Sequence, residues 1–143
     1  MNLKQILIKG VIYWLIMFVT VSILMFIPFL DKRTLIQAGL SWIVAGIFAL
    51  VLAKNYFKTV KPNFVNGLIF GLGLIIVGSI LDAVTTVPLF LQGDYFGFFS
   101  DWTLWVGFLV AVAASVFIAV YLNCSQKKDQ DSITTNAQPD NIK

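Results

Sequence analysis

The sequence predicts an all-α protein, an antiparallel bundle of four transmembrane helices, on three observations. The chain is 59% hydrophobic and 12% charged, with mean hydropathy +0.88, whereas soluble domains carry about a quarter charged residues. Four apolar runs each supply the ~20 residues a helix needs to cross a bilayer core about 30 Å thick. None of the runs has the dyad alternation of barrel strands, so helices must satisfy the backbone polar groups in lipid. The pattern reads as one transmembrane domain over residues 1–124, followed by a polar segment over 125–143.

The first helix is expected over residues 9–30, behind Lys4 and Lys9. This start resembles a secretory signal, but its apolar stretch is too long and no small-residue cleavage site precedes Asp31, which predicts a retained helix. The turn Asp31-Lys32-Arg33 is so short that the second helix, over 34–53, must be an antiparallel neighbour of the first. The third helix, over 64–90, is glycine-rich; the fourth, over 102–123, opens on aromatics. Beyond it, residues 125–143 are mostly Gln, Asp, Ser, Thr and Asn, a composition that predicts disorder. Lys127 and Lys128 would anchor the fourth helix at the interface.

Orientation follows from the basic residues. Lys4, Lys9, Lys54, Lys58, Lys61, Lys127, Lys128 and Lys143 fall on one side of the expected membrane, and Lys32 and Arg33 on the other. The positive-inside rule then places both termini in the cytoplasm. A net charge of +3 spread over scattered lysines suits insertion and anionic headgroups, and makes no nucleic-acid surface. The expected partner is the bilayer, with a membrane-protein partner or a homo-oligomer left open.

Composition also narrows the chemistry. With no histidine and the single cysteine Cys124, the chain cannot form an intramolecular disulfide or a His- or paired-Cys metal or haem site. It carries no phosphate-binding glycine loop and no acidic cluster of calcium-loop type. No cofactor or metal is expected. Cys124, beside the membrane, is the residue type that accepts palmitate.

Small residues recur along three helices. Gly67, Gly71 and Gly78 lie on one face of the third, Gly107, Ala111, Ser115 and Ala119 at intervals of four on the fourth, and Ser41, Ala45, Ala49 and Ala53 on the second. Such stripes let backbones approach where no hydrophobic effect drives association, and they are read as internal packing faces. The segment 88–101 mixes aromatics with Gly93, Gly97, Asp94 and Asp101. Tyr95, Trp102 and Trp105 suit an aromatic belt at the outer headgroup level, and a substrate-gating lid is the sharper alternative.

Asp82 is the one ionisable side chain lying well inside an apolar run, and an acid there costs roughly 2.5–3.5 kcal/mol on insertion scales, which makes it a functional-site candidate. It lies six residues before Pro88, about 9 Å below it along the helix, in the outer half. Ser79 and Thr85 flank it. Desolvation favours a neutral carboxyl unless water reaches it, and as a neutral acid it could donate to Thr20 or Ser22 at comparable depth. Asp101, at the start of the fourth helix, reads as its N-cap.

Three family likenesses bear on these residues. Four short helices resemble the small multidrug-resistance transporters in size, but that family carries its carboxylate on the first helix, where this chain has none. Gly78-Ser79-Ile80-Leu81-Asp82 and Phe99-Ser100-Asp101 resemble the two aspartate motifs of the lipoprotein signal peptidases. Ser79 stands where that family has asparagine and Ala83 where it has arginine, and the asparagine near its second aspartate is missing. Ile80-Leu81-Asp82, Val87-Pro88 and the run from Tyr95 to Gly107 resemble a family of small four-helix bacterial membrane proteins of unknown function. That likeness covers most of residues 9–123 and implies a bacterial cytoplasmic-membrane location with this topology, and no activity. The expectation is a non-enzymatic protein that acts by interaction or by small-ligand or lipid binding near Asp82. Proton-coupled small-molecule transport through Asp82 is the alternative, and an aspartic peptidase using Asp82 and Asp101 the remote one.

Overall fold

The computed structural model describes residues 3–26 and 34–136, and it is all-helical over them. The chain forms α1 (Leu3–Met25), α2 (Thr34–Tyr56), α3 (Phe64–Leu81), a widened π turn (Asp82–Thr86), α4 (Val87–Phe90), α5 (Tyr95–Ser100) and α6 (Trp102–Asn136). Four spans are long and apolar enough to cross a membrane: Leu3–Leu24, Leu35–Tyr56, Phe64–Phe90 and Trp102–Lys128. The expected first turn and Pro28 lie outside the described residues.

α1 starts six residues earlier than the apolar pattern suggests, taking in Lys4 and Lys9. Their long aliphatic stems can lie along a helix while the ammonium groups reach the interface. α2 ends in a turn in which the Phe57 N–H donates to the Ala53 carbonyl at 2.9 Å. Asn63 then starts α3 as an N-cap, its side-chain oxygen accepting from the Asn66 N–H at 2.7 Å. The third span keeps the expected limits but contains the π turn, where the Val87 N–H reaches back to the Asp82 carbonyl. Pro88 accounts for it: proline has no N–H to give, and its ring crowds the carbonyl four residues earlier, here Val84 within the widened turn.

Beyond α4 and its C-cap Leu91, Gln92 and Gly93 have positive φ values of 52° and 87° that reverse the chain. Asp94 caps α5 by accepting from the Gly97 N–H at 2.8 Å. α6 is longer than expected, since the polar stretch from Ser125, which composition marks for disorder, continues it as helix to Asn136. Extending a formed helix costs far less than nucleating one. Residues 137–143 lie outside the described set.

α1 packs on α2 and α3, and α6 on the same two, so α1 and α6 hold opposite corners of the bundle while α2 and α3 barely meet. The two hairpins thus lie side by side with like-directed helices adjacent. Trp42 of α2 lies against Gly107 and Gly46 against Val110, a parallel register, whereas Gly67 and Gly71 meet Ala119 and Val112 in an antiparallel one.

Small residues fill the centre. Ala45, Ala49, Ala53, Ala111, Ser115 and Ala119 are buried, as are Gly67 and Gly71. The Ser115 hydroxyl donates to the Ala111 carbonyl at 2.8 Å and leaves no polar group unsatisfied there. Large apolar side chains point outward at intervals of four, such as Leu7, Val11 and Leu15 on α1 and Leu72, Ile76 and Ile80 on α3. This is inverted relative to a water-soluble bundle and is stable only where the solvent is hydrocarbon. At the lysine-rich end, Tyr56, Phe57 and Phe70 close the interior, with the Tyr56 and Phe70 rings stacked at 4.6 Å.

Candidate functional site

The site is built where α1 meets the π turn. Ile6 lies against Gly73 and Val77 against Gly10, each pair 67 residues apart in sequence, which sets α1 parallel to α3. One turn further along, Trp14 meets Asp82, 68 residues away, so the register advances by one where α3 widens. The Trp14 indole Nε1–H donates to Asp82 Oδ1 at 2.8 Å, and the Thr86 hydroxyl donates to the same oxygen at 2.7 Å. Both donors converge on Oδ1, and neither reaches Oδ2. Aromatic rings back the pair: Phe18 stacks on Trp14 at 5.2 Å, and Phe90 stands edge-on to Phe18 at 5.7 Å. Asp82 and Trp14 are both half-buried.

The acid therefore faces protein, but through partners the sequence did not suggest. Thr20 and Ser22, matched to Asp82 on the assumption that the first helix spans 9–30, instead donate to the Ile16 and Phe18 carbonyls of their own helix at 2.8 and 2.7 Å. With α1 starting at Leu3, Trp14 comes to the level of Asp82. One signal was available: an indole N–H in lipid needs an acceptor, and Asp82 is the only acid at that depth. Thr86 takes the place given to Thr85, because its hydroxyl is the one that reaches the carboxyl group. Ser79 contributes its backbone, its carbonyl accepting from the Asp82 N–H together with that of Gly78.

The other candidates lie elsewhere. Asp101 caps α6, its Oδ1 accepting from the Thr103 N–H at 2.9 Å and the Thr103 hydroxyl at 2.8 Å. Asp82 and Asp101 share no hydrogen-bond partner, whereas a peptidase dyad has two carboxyls sharing a proton about 3 Å apart. Trp102 packs edge-on to Trp42 at 6.0 Å, and the Trp105 indole donates to the Phe99 carbonyl at 2.8 Å. Tyr95 is exposed at the start of α5. These residues form an aromatic end to the bundle and do not join Asp82. Gly78 is buried, yet a Cβ there would meet nothing within 4 Å, so it packs no helix as Gly67 and Gly71 do. Among the described residues, no three His, Cys, Asp or Glu side chains gather in a way that could hold a metal.

Comparison of the chain with known proteins adds no assignment. No family model, curated protein or solved structure matches it, so the likeness to four-helix proteins of unknown function rests on the sequence segments alone.

Proposed function

We propose that the chain is a non-enzymatic protein of the bacterial cytoplasmic membrane, with both termini in the cytoplasm, and that it binds a small amphipathic ligand at Asp82 in the outer half of the bundle. The observation that carries this reading is the fixed carboxyl group. Trp14 and Thr86 hold one oxygen, leaving the other for a ligand, beside the aromatic group of Trp14, Phe18 and Phe90. A carboxylate next to aromatic faces suits an apolar body bearing a cationic head.

The test is calorimetric titration of tetraphenylphosphonium into the protein in lipid nanodiscs. Saturable binding that is lost in Asp82→Asn is expected; binding of equal strength in that variant overturns the reading. Proton-coupled transport is the second reading, supported by a lone membrane acid able to exchange a proton for a cation. It requires ligand-driven proton movement in liposomes in addition to binding. Infrared difference spectra of wild type and Asp82→Asn, taken as pH is raised through neutrality, separate the two. A carboxyl band that never titrates removes the transport reading.

A further inference from the structure

At the lysine-rich end, far from Asp82 along the helices, α2 and α6 part to leave a groove of about 250 Å³ lined by Leu50, Val51, Lys54, Phe117, Ile118 and Tyr121. Its walls are hydrocarbon and aromatic. Phe117 and Tyr121 stack at 6.5 Å, one turn apart, forming one side as a flat ladder. Lys54 lies in the last turn of α2, exposed, with its stem along the groove. Lys58 follows four residues later, and Lys127 and Lys128 continue α6 beyond Tyr121, all exposed. No acidic residue occurs anywhere in 32–81, so α2 offers Lys54 and Lys58 no counter-charge, while on α6 Asp129 and Asp131 follow Lys127 and Lys128 beyond the groove.

We propose that this groove seats an anionic phospholipid of the adjoining leaflet, with an acyl chain between α2 and α6 and its phosphate at Lys54. The division of labour follows from the residues. The groove takes hydrocarbon along Leu50, Val51, Phe117 and Ile118. The Lys54 ammonium reaches the headgroup layer as long basic side chains do. The Tyr121 ring sits with its apolar body inward and its hydroxyl toward the interface. Lys54 and Lys58, in a stretch without acids, favour a net-negative headgroup over a zwitterionic one.

The experiment is native mass spectrometry of the full chain released from vesicles of equal phosphatidylglycerol and phosphatidylcholine. Wild type is expected to retain phosphatidylglycerol several-fold over phosphatidylcholine. Lys54→Gln should abolish that preference, and Ile118→Trp, which fills the groove, should abolish retention of either lipid. Lys61→Gln, outside the groove, should change neither. Equal retention of the two lipids by wild type overturns the proposal, as does an unchanged preference in Lys54→Gln. A dimer sealed along the α2 and α6 face, seen as a doubled mass lost in Ile118→Trp, also overturns it, because a second copy would then be the occupant. None of these outcomes depends on Asp82.

Discussion

Trp14 and Asp82 join two parallel helices through one hydrogen bond of 2.8 Å, although they are 68 residues apart in the chain. The bond ties α1 to the start of the π turn. It is also the contact by which α1 fixes the carboxyl group that the proposed ligand site needs.

Trp14→Phe keeps the aromatic bulk and removes the donor. Interhelical hydrogen bonds in membranes average about 0.6 kcal/mol and reach about 1.7, and removal of one of two donors from this acid should fall toward the upper figure. A double-mutant cycle of Trp14→Phe with Asp82→Leu, which removes the acceptor, measured by detergent unfolding, should show a coupling of that size. Additive losses would mean that the two residues do not act together.

Two glycines on one helix should respond in opposite ways. A Cβ at Gly71 would lie 2.9 Å from the Val112 Cα, so alanine must push α6 away, at a cost of about 1–3 kcal/mol. A Cβ at Gly78 meets nothing within 4 Å, and Gly78→Ala should be neutral or gain up to about 1 kcal/mol from helix propensity. Unfolding midpoints of the two variants give the comparison directly.

Pro88→Ala supplies the missing N–H and removes the ring that crowds Val84, so the π turn should tighten toward regular α-helix. Residues beyond it then rotate relative to α1. In a Cys124→Ser background, Phe18→Cys and Phe90→Cys replace rings now 5.7 Å apart, and a short bis-maleimide that spans the lost side chains should bridge them. Adding Pro88→Ala should lower that yield.

Asp101→Ala should cost about 1 kcal/mol, the value of an N-cap, and Asp101→Asn should restore most of it. Neither change should alter tetraphenylphosphonium binding, since Asp101 is engaged at the start of α6 and not at the Asp82 site. Calorimetry on both variants checks that separation.

Much of this architecture was legible because membranes write it locally. The third span runs from the Asn63 cap to Phe90 as its apolar run indicates, and Ala45, Ala49, Ala53, Gly67, Gly71, Ala111, Ser115 and Ala119 are buried on the faces their spacing marks, whereas Gly78 meets no neighbouring helix. Features that depend on the relative height of two helices were not legible. A first helix ending near Leu30 puts Thr20 and Ser22 level with Asp82, and only packing of Ile6 and Gly10 on α3 shows that Trp14 holds that level. The π turn was hidden for another reason. Pro88 reads in one dimension as a helix terminator, and only in three dimensions as the cause of a widened turn before it.

The side-by-side arrangement of the hairpins sets the order in which the protein can mature. Each hairpin closes through contacts near in sequence, whereas α1 can dock on α3 only once the third span is inserted and α2 on α6 only once the fourth is. Asp82 therefore enters the bilayer before Trp14 can engage it. A nascent chain carries an acid held by Thr86 alone until α1 docks, so partly assembled molecules differ chemically from finished ones at a single residue.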